Sequence, residues 1–170
     1  MNETDAAIEY ARPGVVWLEG RPLPIQPTGT GRAIARQGDE GLVVGGGSRA
    51  KVLAAIDRWY RREARDRIEP LVESEGDRLG LRAKKVTVRN QRTRWGSCST
   101  SGTLSFNWRL VLGRPEALRY VVVHELIHIR HHNHSRAFWN DLAAAFPEYR
   151  AEAAWLRSNE RHLLRWKPRI

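Results

Sequence analysis

The 170-residue sequence predicts an α+β fold in a single domain spanning residues 1–170. Three observations predict it. Residues 13–47 alternate short apolar runs with glycine and proline, the pattern of a small sheet. Residues 49–67, and again those from 116 onward, place apolar side chains at helical spacing. Two further alternating runs, "KKVTVRNQ" and "GTLSFNWRLV", lie between them and read as strands of a small mixed sheet. The length suits one domain with its own core, divided into a β-rich part (13–47) and a second part (49–165).

The elements follow in order. "VVWLEG", "RPLPIQ", "GRAIARQ" and "GLVVGG" read as a β-meander, with hairpin connections in "LEGRPL" and "RQGDEGL". Ser48 caps the next segment, where Val52, Ile56, Trp59 and Tyr60 predict an amphipathic helix over 49–67 that Pro70 kinks or ends. "TRWGSCSTS" reads as a polar turn between the two later strands. Pro115 stands at the start of a helix that runs through "EALRYVVVHELIHIRHH". Ser135 caps "RAFWNDLAAAF", and Pro147 starts the last helix. Trp108, Phe138 and Trp139 are expected in the core.

Composition narrows the class. No apolar run is long enough to span a membrane, and "MNETDAAIEYARPG" lacks the basic and apolar regions of a secretory leader. The single cysteine, Cys98, excludes an internal disulfide, so a cytoplasmic location is expected. The net charge of +10 gathers in residues 58–67, 81–94 and 161–170. It is compatible with nucleic acid as a partner, although no nucleic-acid-reading motif accompanies it. Oligomeric state is not legible.

The chemistry lies in "VVVHELIHIRHHNHSRAFW", residues 121–139. His124 and His128, four apart, share one helical face and can reach one zinc ion. Glu125, one step round, does not ligate; it is placed to take a proton from the water that zinc activates. "YVVV" and "LI" make this an apolar, core-facing helix, in which unpaired His and Glu are costly. A catalytic zinc site needs a third protein ligand. On one continuous helix His134 lies about 280° from His124, so only a chain reversal returns it. "HHNHS" supplies one, with Asn133 tolerating a left-handed conformation. The alternative is a carboxylate from the last helix, Glu148 or Glu152. His131 and His132 are expected as exposed residues of the helix end, and His162 as a surface residue. The ligand set favoured is His124, His128 and His134.

That spacing is similar to the metzincin pattern, from which the sequence departs in carrying His131 at the turn glycine and no methionine beyond Met1. "RTRWGSCSTSGTLSFNWRLV" (92–111) together with "YVVVHELIHIRHHNHSRAFW" (120–139) resembles the YgjP-like metallopeptidase domain family, relatives of the zincins. The resemblance implies a zincin-like domain whose catalytic part is 49–165. It implies zinc on the three histidines, Glu125 as the catalytic glutamate, and a peptide or protein substrate. Within the first motif, Arg92 or Arg94 can stabilise an oxyanion or hold a substrate carboxylate. The plainer reading is a packing turn in which Trp95 fills the core and Gly96 permits the bend. By analogy with zincins, the strand "GTLSFNW" offers an edge to an extended peptide. Two other classes stand beside the peptidase. One is a DNA-associated protease, loosely similar to SprT-like proteases, or a nucleic-acid-binding protein; the other is a non-catalytic zinc-binding module.

Overall fold

The computed structural model describes residues 10, 12–29 and 31–170. The reading of the first residues as leader-free falls largely on 1–9, outside the described residues. Among the described residues the fold is a mixed α+β domain with two small sheets and four long helices.

Strands β1 (Val15–Leu18), β2 (Arg21–Pro27), β3 (Ala35–Gly38) and β4 (Gly41–Val44) form the first sheet. Both expected hairpins are present, β1–β2 through Glu19–Gly20 and β3–β4 through Asp39–Glu40. They do not follow one another as a sequential meander. β2 pairs with β4 in parallel, giving the order β1-β2-β4-β3. Gly41 permits this, because a Cβ there would lie 2.2 Å from the carbonyl oxygen of Pro24. β1 is buried along its whole length, whereas β2, with prolines at 22, 24 and 27, is mostly exposed or half-buried.

Helix α1 (Arg49–Leu79) starts at Ser48, whose hydroxyl accepts from the amide of Lys51. It runs twelve residues beyond the predicted end at 67, straight through Pro70. The buried stripe explains this. Ile56, Trp59, Tyr60 and Ala64 continue as Ile68, Val72, Glu75 and Gly76, while Pro70 lies on the exposed face. The packing of that last stretch outweighs a proline cost of about 3 kcal/mol. The Tyr60 hydroxyl donates to the carbonyl of Trp17 (2.7 Å) and accepts from its amide (3.0 Å), tying α1 to β1.

The second sheet holds β5 (Lys85–Arg89), β6 (Gly96–Cys98) and β7 (Thr103–Asn107) in the order β5-β7-β6. β6 lies inside the segment read as a turn. It is polar and only three residues long, so alternation could not reveal it; its pairing with β7 makes it a strand. The strand expected to run to Val111 stops at Asn107 and becomes a buried 3₁₀ turn, Trp108–Leu112. Asn107, fully buried, makes that break: its side-chain oxygen accepts from the amide of Arg109 (3.1 Å). Its amide donates to the carbonyls of Gln91 (2.7 Å) and Arg94 (3.1 Å), holding the approach to β6. Because β7 is central, it has no free edge for a peptide; the edge on this side is β6.

Helices α2 (Pro115–Ile127), α3 (Arg136–Ala145) and α4 (Tyr149–Arg165) complete the fold. Pro115 opens α2 as expected, and the Ser135 hydroxyl caps α3 by accepting from Phe138. Pro147 stands two residues ahead of α4. One apolar cluster runs continuously from β1 to the end of α4. Two buried carboxylates brace α2 within it. Glu152 takes both forks of Arg114 at 2.8 and 2.9 Å, joining α4 to the start of α2. Glu75 sits between Arg78 (2.6 Å) and Arg119 (2.5 Å), joining α1 to α2. No helix among the described residues is long and apolar enough to cross a membrane.

Burial alone would raise the Glu75 carboxyl, but the hydrogen bonds and charges of Arg119 and Arg78 hold it below the usual carboxylate range. A depressed folded-state pKa stabilises above the unfolded value of about 4.5, and that contribution is lost as pH falls through the folded value. Glu75→Gln should therefore lower stability by about 2 kcal/mol at pH 7, with the difference shrinking below pH 4. Urea unfolding of both proteins across that range checks it.

Candidate metal centre

His124 and His128 lie on the last turn of α2, four residues apart. The helix ends sooner than the sequence suggests: Ile127 is its last residue and His128 its cap. Amides 129 and 130 bond to the carbonyls three residues back, tightening the chain into a turn. The buried apolar run stops at Ile127 and only polar residues follow Ile129, so packing no longer holds the helix straight. The chain reverses over 128–135 with no left-handed residue at Asn133, since Glu19 is the only non-glycine with positive φ among the described residues.

The reversal carries His134 back over the helix end. The Nε2 atoms of the three rings form a triangle: His124 to His128 3.2 Å, His128 to His134 3.2 Å, His124 to His134 3.1 Å. Ligands about 2.0–2.1 Å from a tetrahedral ion stand roughly 3.4 Å apart, so the triangle is of the right size. The protonation pattern also suits an ion. His128 donates its Nδ1 proton to the carbonyl of His131 at 2.8 Å, which leaves its Nε2 lone pair facing the other two rings. Burial first, then its neighbours, pushes His124 down to about 3, and burial likewise lowers His128. Both are then neutral near pH 7, the form that ligates. Among the described residues, these three histidines are the only such group of metal-ligating side chains.

The other candidates lie elsewhere. Glu152 is committed to Arg114, and Glu148 is exposed ahead of α4. His162 is half-buried in α4 beside a separate cavity near Trp166. Cys98 is outside the cluster, its thiol pushed up by burial and by Glu125. His132 is exposed as expected. His131 is not: its Nε2–H donates to Asp141 at 2.9 Å, and Arg130 meets the same carboxylate at 2.9 Å. Asp141, on α3, thus anchors the turn whose carbonyl orients His128.

Phe138, fully buried, is the floor of the cluster, stacked on His128 at 4.5 Å with His124 and His134 at its edge. Trp139 was expected in the core; it is 38% exposed. It is one step round α3 from the Phe138–Leu142 stripe, and lies over His134 at 5.5 Å and Tyr149 at 5.9 Å.

Glu125 is 6% exposed and sits against β6. A Cβ on Gly96 would lie 2.7 Å from both its Cγ and Oε1, so the glycine makes room for the carboxylate rather than permitting a bend. Burial raises this carboxyl to about 7, opposed by the charge of Arg94. A cavity of about 350 Å³ opens beside it, between Arg94–Gly96, the His124–Glu125 face of α2, and α4. Tyr120, one turn before His124, lines it and brings its hydroxyl to 3.5 Å from His124 Nδ1. Sequence reasoning missed Tyr120, although its spacing of four from His124 marks the face. It missed Asp141 and Asn107 for want of any local signal.

Residues 1–159 match the YgjP-like metallopeptidase domain family. Two solved structures are similar. The metallopeptidase zymogen of Pyrococcus abyssi abylysin is 26% identical with a TM-score of 0.47, over 61% of this chain and 99% of that one. The metallopeptidase zymogen of Methanocaldococcus jannaschii jannalysin is 24% identical with a TM-score of 0.47, over 55% and 95%. No curated protein matches the chain.

If the triangle holds zinc, His134→Ala should lose it on dialysis, while Glu148→Ala and Glu152→Ala keep it. His131→Ala and Asp141→Asn should keep stoichiometric zinc but weaken affinity by about tenfold or more. Metal analysis and chelator competition separate the two effects; full retention by His134→Ala would remove it from the ligand set.

Proposed function

The chain belongs to the YgjP-like metallopeptidase domain family, and from that premise we propose that it is a zinc peptidase in which His124, His128 and His134 hold the ion and Glu125 is the general base. The observation that supports this most is the convergence of three Nε2 atoms within 3.1–3.2 Å beside a buried carboxylate facing a cavity. The chemistry such an ion supplies is Lewis acidity towards a water and a peptide carbonyl.

The chain's own residues do the rest. Glu125, with its carboxyl pushed up to about 7, is matched to proton transfer near neutral pH. It takes the proton of the attacking water and passes it to the leaving amine. Arg94, at the same end of the cavity, favours its ionised form. Tyr120 remains protonated, because burial and the nearby Glu125 raise its phenol, and it presents a hydroxyl to the cavity. His128 is oriented by the His131 carbonyl, and His131 by Asp141. An extended peptide pairs along the edge strand β6, which places its carbonyl over the His124–Glu125 face.

The alternatives of other classes draw on less. A nucleic-acid-directed reading draws on the net charge of +10. A non-catalytic zinc module leaves the buried Glu125, and the glycine opposite it, without a purpose.

Glu125→Gln should keep zinc and fold while lowering hydrolysis of an unfolded protein substrate by about 10²–10⁴-fold. Gly96→Ala should also keep zinc, and should lower kcat by about a hundredfold by displacing the carboxylate. Wild-type turnover in Glu125→Gln would overturn the general-base assignment.

A further inference from the structure

We propose that the cavity beside Glu125 is a carboxylate-recognition subsite, in which Arg94 and Arg157 hold an anionic group of the peptide on the C-terminal side of the bond that is cut. The inference rests on the peptidase reading and names the substrate class for the same site.

The arginines around α2 supply the first argument. Arg78 and Arg119 are taken by Glu75, Arg114 by Glu152 and Arg130 by Asp141. Arg94 and Arg157 are different: both are exposed at the cavity, and among the described residues neither side chain makes an ion pair or a hydrogen bond, Arg94 acting on Glu125 only through its charge. They come from separate elements, Arg94 from the segment before β6 and Arg157 from α4, so two guanidinium forks face one space from two walls. A planar fork with free donors suits a carboxylate better than any neutral group.

Position supplies the second. The cavity adjoins Glu125, the group that hands its proton to the leaving amine, so this is the leaving group's side of the cut. A volume of about 350 Å³ is at the small end for ligand pockets, room for a residue or two. Trp95, Val121 and Leu156 form an apolar wall for the stem of that residue. Among the described residues, Glu160, one turn after Arg157, is the only acid lining the cavity besides Glu125. With Glu125 engaged at the bond being cut, the two arginines outnumber it.

The carboxylate has two sources, a free C-terminus or an Asp or Glu side chain. The probes are a degenerate hexapeptide pool with free C-termini, the same pool amidated, and amidated pools with Glu or Gln fixed at each position in turn. Binding is measured on zinc-loaded Glu125→Gln, and kcat and KM on the wild-type protein. The expected result is that a free C-terminus, or Glu over Gln at one position after the cut, improves binding by about tenfold or more. Arg157→Gln should erase that preference by raising KM, with kcat little changed, and Arg157→Lys should restore part of it. Preference for the free-terminus pool alone assigns a terminal carboxylate, and preference for fixed Glu alone assigns a side chain. Cleavage or binding with no carboxylate preference, or a preference for amidated pools, overturns the subsite and leaves the peptidase reading standing. Arginine-dependent carboxylate binding without cleavage of any pool keeps the subsite and removes the peptidase reading.

Discussion

The fold depends on a helix that is largely buried and yet carries two histidines and a buried carboxylate near its C-terminal end. Val121, Val122, Val123, Leu126 and Ile127 bind α2 into the core, while His124, Glu125 and His128 interrupt that surface. In a low-dielectric interior such groups are costly unless something answers each one. The three imidazoles answer one another's placement, and Glu125 is answered by Arg94 and by a strand that leaves it space. The rest of the molecule keeps α2 where these answers can be given. Glu75 locks it to α1, Glu152 locks its start to α4, and Asp141 fixes the turn that leaves it.

Much of this was legible because it is local. Two histidines four apart share a face on any helix, and Ser135 marks a helix start whatever surrounds it. The return of His134 was also readable, since no continuous helix could bring it to His124. What could not be read depends on partners distant in sequence. Pro70 stays inside α1 because of what its far end packs against. β6 is a strand only because β7 lies beside it. Trp139 reads as core by size, and it is the phase of α3 over the His134 turn that leaves it half in solvent. The helix end at Ile127 was missed for a related reason: helical spacing continues through His131, but burial does not.

Buried amides and carboxylates do the precise positioning in this domain, more than its apolar contacts. Asn107 satisfies three backbone groups at the point where β7 stops, and so fixes the loop that delivers Arg94 and Trp95 to the cavity. Its loss would leave buried carbonyls unanswered and the loop free to move. The same economy recurs at the His131 turn, where one half-buried carboxylate gathers two side chains and sets the orientation of a third ring through a carbonyl.

The contact between Gly96 and Glu125 has a consequence for how this chain can vary. The two positions share one volume, too small for a long carboxylate and a methyl group together. Shortening the acid to Asp frees about what an alanine at 96 needs, so the pair can change jointly at little cost to packing. The folded chain would tolerate that exchange, but the carboxylate would be drawn back by one carbon from the cleft. Thermal stability and chemical competence are therefore separable at this point, and a variant can melt like its parent while having lost the reach of its acid.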